Sequence, residues 1–171
     1  MTHTLRFNSR LTTLDRPLVM GILNITPDSF FAESRTPSDA AEQIRARVRN
    51  MLEEGADLID IGAYSARPGA DEVSADEEMR RLAAALEVVR QEAPEACLSV
   101  DTFRAEVAQY CVRDYGVQLI NDISGGSLDE QMYATIATLG VPYVLMHMRG
   151  TPRTMQQFTD YDDVVEAVMM Y

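Results

Sequence analysis

Basic residues are scarce in this chain. Lys and Arg total 15 against 27 Asp and Glu, a formal net charge of −12 over 171 residues. No Lys/Arg-rich run or stripe offers a footprint for a phosphate backbone, so nucleic acid is excluded as an expected partner. The same imbalance constrains small anionic ligands. The overall field repels them, so a local Arg, backbone N–H donors or a metal ion such as Mg²⁺ must hold them. Cysteine is scarce as well. Cys97 and Cys111 lack metal-ligand spacing and fall at a strand start and within a helical pattern, so they read as buried free thiols in a reducing compartment. No stretch approaches about 18 uninterrupted apolar residues, and residues 1–15 lack a continuous apolar h-region. The expected setting is the cytoplasm, with no membrane partner.

What the chain does have is one arrangement used repeatedly. An apolar run, residues 17–24, ends on the polar Asn24, and a Pro-containing loop through Phe30 follows directly. Ahead of it, residues 2–15 mix apolar and polar positions in a way that suits a small hairpin or cap. After the loop, Ser38 is a helix N-cap, Ala41, Ile44, Val48, Met51 and Leu52 share a helical face, and Gly55 is a stop. Residues 57–63 are a near-continuously apolar strand. Ser74 with Glu77 forms a capping box for a helix with Met79, Leu82, Ala83, Leu86 and Val89 inward. Residues 97–101 are a third strand, and Thr102 an N-cap for a helix with Val107, Ala108 and Cys111 inward. Gly116 ends that helix. Residues 117–122 form a fourth strand, a helix follows over 128–139, and residues 142–147 form a fifth strand. Residues 162–171 begin a further helix.

Strict alternation of this kind means a parallel sheet, wound on both faces or closed into a barrel. Two features favour the barrel. No G-x-G-x-x-G fingerprint follows the first strand, and all five strands end in polar groups rather than only those near one switch point. The expected fold class is thus α/β, a TIM (β/α)8 barrel of which this chain supplies about the first five βα units. Residues 1–171 are read as a single barrel domain, C-terminally incomplete.

The strand ends carry Asn24, Gly62 with Ser65 close behind, Asp101, Asn121 with Asp122, and His147. Parallel strands point the same way, so these groups converge on one mouth, as a small-molecule site requires. Asp101 either meets the orphan N–H groups of the helix after it, or accepts paired N–H donors from a heterocycle beside Asn121. Arg67, in the loop after the second strand, is either a solvated surface residue or a fork for pyrophosphate or carboxylate. His147 fits a core or a pocket equally. Met20, Met146 and Met148 suit the core, and Asp60 and Asp122 suit the task of orienting neighbours by hydrogen bonds.

Together these stretches resemble the dihydropteroate synthases of the pterin-binding barrel family. The matching motifs are Met20-Gly-Ile-Leu-Asn-Ile-Thr-Pro-Asp-Ser-Phe30, Gly55-Ala-Asp-Leu-Ile-Asp-Ile-Gly62 with Arg67-Pro-Gly-Ala70, Ser99-Val-Asp-Thr102, Ile120-Asn-Asp-Ile-Ser-Gly125, and Leu145-Met-His-Met148 with Gly150-Thr-Pro-Arg-Thr-Met-Gln156. The resemblance implies a transferase of folate biosynthesis that condenses (7,8-dihydropterin-6-yl)methyl diphosphate with 4-aminobenzoate. It implies Mg²⁺, small-molecule substrates and a homodimer when full length. By motif, Asn24 is implied as the metal or pyrophosphate contact, and Ser65 and Arg67 as the grip on the leaving group. Asp101 and Asn121 are implied on the pterin, with Asp101 and Arg67 the catalytic pair. Ile22, Ile123 and Met146 would pack around the ring, while Phe30 and Pro68 complete the aminobenzoate pocket.

The match has departures. Ala66 stands where the family usually has Thr, leaving Ser65 as the one side-chain hydroxyl there, and Phe31-Ala-Glu-Ser-Arg-Thr36 replaces a common Ser-Asp-Gly-Gly. Arg35 adds a charge the usual loop lacks. The family's later strands, with a second pterin-binding Asp, a Lys, and a late Arg and His, have no counterpart here. The chain is therefore expected to be a fragment that is aggregation-prone and inactive alone. The alternatives are a pterin-binding methyltransferase domain and a non-catalytic pterin-binding module. A metal-dependent aldolase is disfavoured, since no dense His/Glu/Asp ligand set is present.

Overall fold

The computed structural model describes residues 3–7, 10–25, 37–64 and 73–171. An antiparallel hairpin comes first, β1 His3–Phe7 and β2 Arg10–Leu14, with His3 opposite Leu14. Helices and strands then alternate: β3 Met20–Asn24, α1 Pro37–Glu53, β4 Leu58–Gly62, α2 Ala75–Glu92, β5 Cys97–Asp101, α3 Ala105–Tyr115, β6 Leu119–Asp122, α4 Met132–Leu139 and β7 Tyr143–Leu145. After β7 come a 3₁₀ turn, Met155–Gln157, which the sequence pattern did not suggest, and α5 Val164–Met169.

Strands β3 to β7 form one parallel sheet in strictly sequential order. Right-handed crossovers that always advance in one direction keep every helix on one face, whereas a doubly wound sheet reverses at a switch point. The order thus decides between the two windings. These are five consecutive βα units of a TIM-type barrel.

Side-chain alternation divides the sheet. Leu23, Ile59, Ile61, Leu98, Val100 and Ile120 point outward and are fully or almost fully buried against Ile44 and Val48 of α1, Leu82, Leu86 and Val89 of α2, and Val107 and Cys111 of α3. Each such side chain contributes about 1.5–3 kcal/mol by leaving water. The inner face carries Ile22, Asn24, Asp60, Ser99, Asp101 and Asn121. Near the C-terminal end of the strands that face is polar.

Several boundaries differ from the sequence reading, each for a local reason. Ser74 does accept the Glu77 N–H at 3.3 Å, but the Glu77 carboxylate bonds Arg80 and Arg81. Only half of the capping box forms. Thr102 does not cap α3: its hydroxyl accepts the Arg104 N–H at 3.2 Å, and the Ala105 N–H goes to the Asp129 carboxylate at 2.7 Å. Helix α4 begins at Met132 rather than 128, because residues 123–128 are bent into turns around Asp122. On α1, Ala40 is buried and Leu52 is exposed, the reverse of what the pattern suggested for Leu52. Cys97 and Cys111 form no disulfide, as expected, although Cys97 is only half-buried. Met148 is in the core, while Met20 and Met146 are half-buried.

Candidate active site

The strand register builds one polar row. Asn24 pairs with Gly62, Gly62 with Asp101, Asp101 with Asn121, and Asn121 with Val144. Four neighbouring strands therefore present Asn24, Gly62, Asp101 and Asn121 at one level of the inner face. Gly62 is what opens the row. A Cβ there would lie 3.2 Å from Asn24 Oδ1 and 3.5 Å from Asp101 Oδ2, so both oxygens flank a cradle floored by glycine backbone. The sequence reading treated Gly62 as a strand end and missed this role. The signal was a glycine closing a strand that otherwise carries side chains of full size, Leu58-Ile-Asp-Ile61.

One step below the row, Asp60 is almost fully buried and accepts the Ser99 hydroxyl at 2.5 Å and Asn121 Nδ2 at 3.0 Å. Holding that Nδ2 fixes the amide of Asn121 and leaves its carbonyl oxygen and second N–H for a ligand. The orienting role expected of Asp60 is thus filled. Burial pushes the Asp60 carboxyl above the usual range, and the bonds from Ser99 and Asn121 draw it back.

Asp101 is the one acid of the row. Burial, followed by the like charges of Asp60, Glu78 and Asp122, pushes it up to about 7. Near neutral pH its carboxyl can therefore donate or accept a hydrogen bond. The competing reading, a carboxylate serving the N-terminus of α3, is not what the bonds show there: the Ala105 N–H goes to Asp129 and the Arg104 N–H to the Thr102 hydroxyl.

Asp122 points the other way and is committed to folding. It accepts Ser124 N at 2.7 Å, Ser124 Oγ at 2.8 Å, Gly126 N at 2.9 Å and Tyr143 OH at 2.5 Å. The turn it gathers carries Ile123, half-buried at the end of β6. In that turn Gly125 has φ 56°, and a Cβ would sit 2.5 Å from the Met146 carbonyl oxygen. That close approach brings the Ile123 turn against the backbone of Met146. Ile22 lies on the inner face two residues before Asn24 and is 60% exposed. His147 is a brace: its Nε2 lies 3.2 Å from Tyr161 OH and the Tyr171 ring meets it edge-on at 4.6 Å. Phe30, Ser65, Arg67 and Pro68, with Ala66 and Arg35, lie outside the described residues.

Among the described residues no group of three or more His, Cys, Asp or Glu could hold a metal ion. That donor density is not what Mg²⁺ needs when it keeps waters and takes phosphate oxygens, for which one or two protein oxygens suffice. Asn24 is exposed and its Oδ1 faces the Gly62 cradle beside Asp101 Oδ2, so the oxygen donors present fit such an ion. A separate cavity of about 520 Å³ beyond β7, lined by Arg149, Tyr161, Glu166 and Met170 among others, includes no residue of the row. No helix among the described residues is long and apolar enough to cross a membrane.

Comparison with known proteins points the same way as the row. The sequence model described as pterin binding enzyme matches residues 20–171. The chain is 49% identical over 154 residues to a mitochondrial folate synthesis bifunctional protein of Arabidopsis thaliana, covering 88% of this chain and 27% of that protein. It is 41% identical over 158 residues to the dihydropteroate synthase of Escherichia coli K12, covering 92% of this chain and 54% of that protein. A solved dihydropteroate synthase from Xanthomonas albilineans, with 4-aminobenzoic acid, superposes with a TM-score of 0.79 at 40% identity, over 99% of this chain and 58% of that one. The chain spans about half the length of these bacterial relatives and about a quarter of the plant protein.

Proposed function

Because this chain belongs to the pterin binding enzyme family, we propose that it provides the pterin-recognising portion of a transferase that condenses (7,8-dihydropterin-6-yl)methyl diphosphate with 4-aminobenzoate, yielding 7,8-dihydropteroate and diphosphate. The observation that carries the reading is the row Asn24, Gly62, Asp101, Asn121 on four adjacent strands, with Asp60 holding the Asn121 amide.

In this reaction the bond between the pterin methylene carbon and the diphosphate oxygen breaks, and its electron pair leaves with diphosphate. The amine of aminobenzoate then attacks the carbon and loses a proton. Such a step draws on electrostatic stabilisation rather than a strong base. Asp101 and Asn121 grip the donor and acceptor edge of the pterin, and Asp101 lies where positive charge develops. Ile22, Ile123 and Met146 pack against the ring. Arg67 and Ser65 take the leaving group, while Phe30 and Pro68 border the aminobenzoate. Asn24 would hold a Mg²⁺ ion through its side-chain oxygen, and such an ion would supply neutralising charge for the diphosphate. The reading carries with it a cytoplasmic location, a homodimer of the full-length enzyme, and no nucleic-acid or membrane partner.

Calorimetry tests it. The chain is expected to bind 6-hydroxymethylpterin, to bind it more tightly in Mg²⁺ and pyrophosphate, and to lose most of that affinity on Asp101→Asn. Binding without the Mg²⁺-pyrophosphate enhancement would favour a non-catalytic pterin module. The 171-residue chain alone is expected not to turn over. No pterin binding by the folded chain would overturn the proposal.

A further inference from the structure

The turn after Asp101 carries a buried ion pair that the proposed chemistry does not use. Glu78, on the first turns of α2, is fully buried, and Arg104, at the N-cap of α3, pairs with its Oε2. Burial raises the Glu78 carboxyl, while the Thr102 hydroxyl and Arg104 draw it down. Glu78 Oε1 has no hydrogen-bond partner among the described residues. Burying a charged pair is a poor source of stability, so its presence calls for another reason.

The other contacts of Arg104 supply one. Its second terminal nitrogen donates to the Val73 carbonyl at 2.7 Å. The guanidinium also lies 5.4 Å from the centroid of the Tyr64 ring and 4.8 Å from that of Phe103, and those two rings meet edge to face at 5.0 Å. Tyr64 and Val73 are the described residues on either side of positions 65–72. One side chain therefore touches both ends of the β4–α2 connection and the turn that follows Asp101. A planar fork with five donors can do this, and an ammonium cannot.

We propose that Arg104, seated on Glu78, is a positioning residue that fixes Tyr64 and Val73 relative to Asp101, and thereby sets the spacing between pterin recognition and diphosphate recognition. The inference rests on the function proposed above, since Arg67 lies in the connection whose ends it holds. Among the described residues neither Arg104 nor Glu78 hydrogen-bonds Asp101, Asn121 or Asp60; Glu78 reaches Asp101 only through its charge, and the paired variant below removes that charge together with the opposite charge of Arg104, so the bonds within the row stay in place.

The test uses the full chain with two variants. Arg104→Met alone leaves a buried uncompensated carboxylate and risks unfolding, so the paired variant Glu78→Met/Arg104→Met, which replaces both charges by apolar groups of similar length, accompanies it. Amide hydrogen exchange is read at Tyr64, Val73 and Ser74, and affinity is measured for 6-hydroxymethylpterin and, separately, for inorganic pyrophosphate with Mg²⁺. In the folded paired variant, exchange at Tyr64 and Val73 is expected to accelerate about tenfold and pyrophosphate affinity to fall about tenfold, with pterin affinity within about twofold. A general structural defect would lower both affinities together. Unchanged exchange at Tyr64 and Val73, or equal loss of pterin and pyrophosphate binding, overturns the positioning role. If the unaltered chain binds no pyrophosphate, the functional reading fails, and the exchange result alone then supports or overturns the positioning of Tyr64 and Val73.

Discussion

The two ends of this parallel sheet are built by opposite rules. At the N-terminal end, two arginines are surrounded by acceptors that hold them in place. Arg90 alone donates to the carbonyls of Tyr115, Pro94, Ala96 and Gly116 and to Gln118 Oε1, while Gln118 Oε1 also accepts the Leu98 N–H. Arg16 pairs with Asp57, and Asp57 accepts the Val19 N–H. At the C-terminal end, burial raises Asp60, Glu78 and Asp101, their like charges add for Asp101, and Glu78 Oε1 and His147 Nδ1 stay unpartnered among the described residues. The same strands thus run from an end arranged for stability to an end that carries unfavourable electrostatics. In a βα barrel that division separates folding from chemistry.

If so, substitutions at the two ends should move stability in opposite directions. The largest effect is expected for Arg90→Met, which strips five acceptors of one shared donor. A loss of about 3 kcal/mol in urea unfolding is expected, with pterin affinity of the folded protein unchanged. Asp101→Asn should do the reverse. An acid raised to about 7 holds, in the folded state, a proton that the unfolded chain releases near pH 4, so wild-type stability falls as pH rises between those values. The variant should gain about 2 kcal/mol at pH 8, gain nothing at pH 4, and lose pterin binding. Unfolding curves at both pH values check it, and a destabilised variant at pH 8 would break the contrast between the ends.

What the sequence revealed follows the same division. Strand and helix positions, the helix-ending Gly116 and the inward faces of α2 and α3 were legible because apolar period and punctuation encode them locally. The row of Asn24, Asp101 and Asn121 was legible because parallel strands share a direction. The roles of Gly62 and Glu78 were not. Gly62 acts through an absent side chain whose value appears only once β3 and β5 lie on either side of it. Glu78 sits in an acidic first turn, Asp76-Glu77-Glu78, that looks solvated and dipole-matched. Only the meeting of α2 with Arg104 buries it. Likewise, Asp129 could not be seen to serve α3, since that bond spans 24 residues.

Gly62→Ala tests the cradle directly. Its backbone φ is not in the left-handed region, so alanine brings little strain, but the new methyl crowds Asn24 Oδ1 at 3.2 Å. Stability should change by less than about 0.5 kcal/mol, whereas pyrophosphate affinity in Mg²⁺ should fall about tenfold, equivalent to about 1.4 kcal/mol. Equal affinity by calorimetry would remove Gly62 from the site.

The smallest effect sharpens the contrast through its sign. Asp57 at the N-terminal end is held down to about 2, first by the Arg16 side-chain bond and then by the Val19 N–H. A depressed acid contributes stability that is present above its unfolded value near 4 and is lost as pH falls through about 2. Asp57→Asn should therefore be slightly less stable than wild type at pH 5, and the gap should close as the pH approaches 2. High salt should narrow it as well, because Arg16 is exposed and the pair is screened. At the mouth, by contrast, the gap between Asp101→Asn and wild type opens as pH rises from 4 to 8, with the variant the more stable. Melting temperatures of both variants across pH 2 to 8 would resolve the two slopes. If both vary in the same direction, the ends of the sheet do not differ in kind.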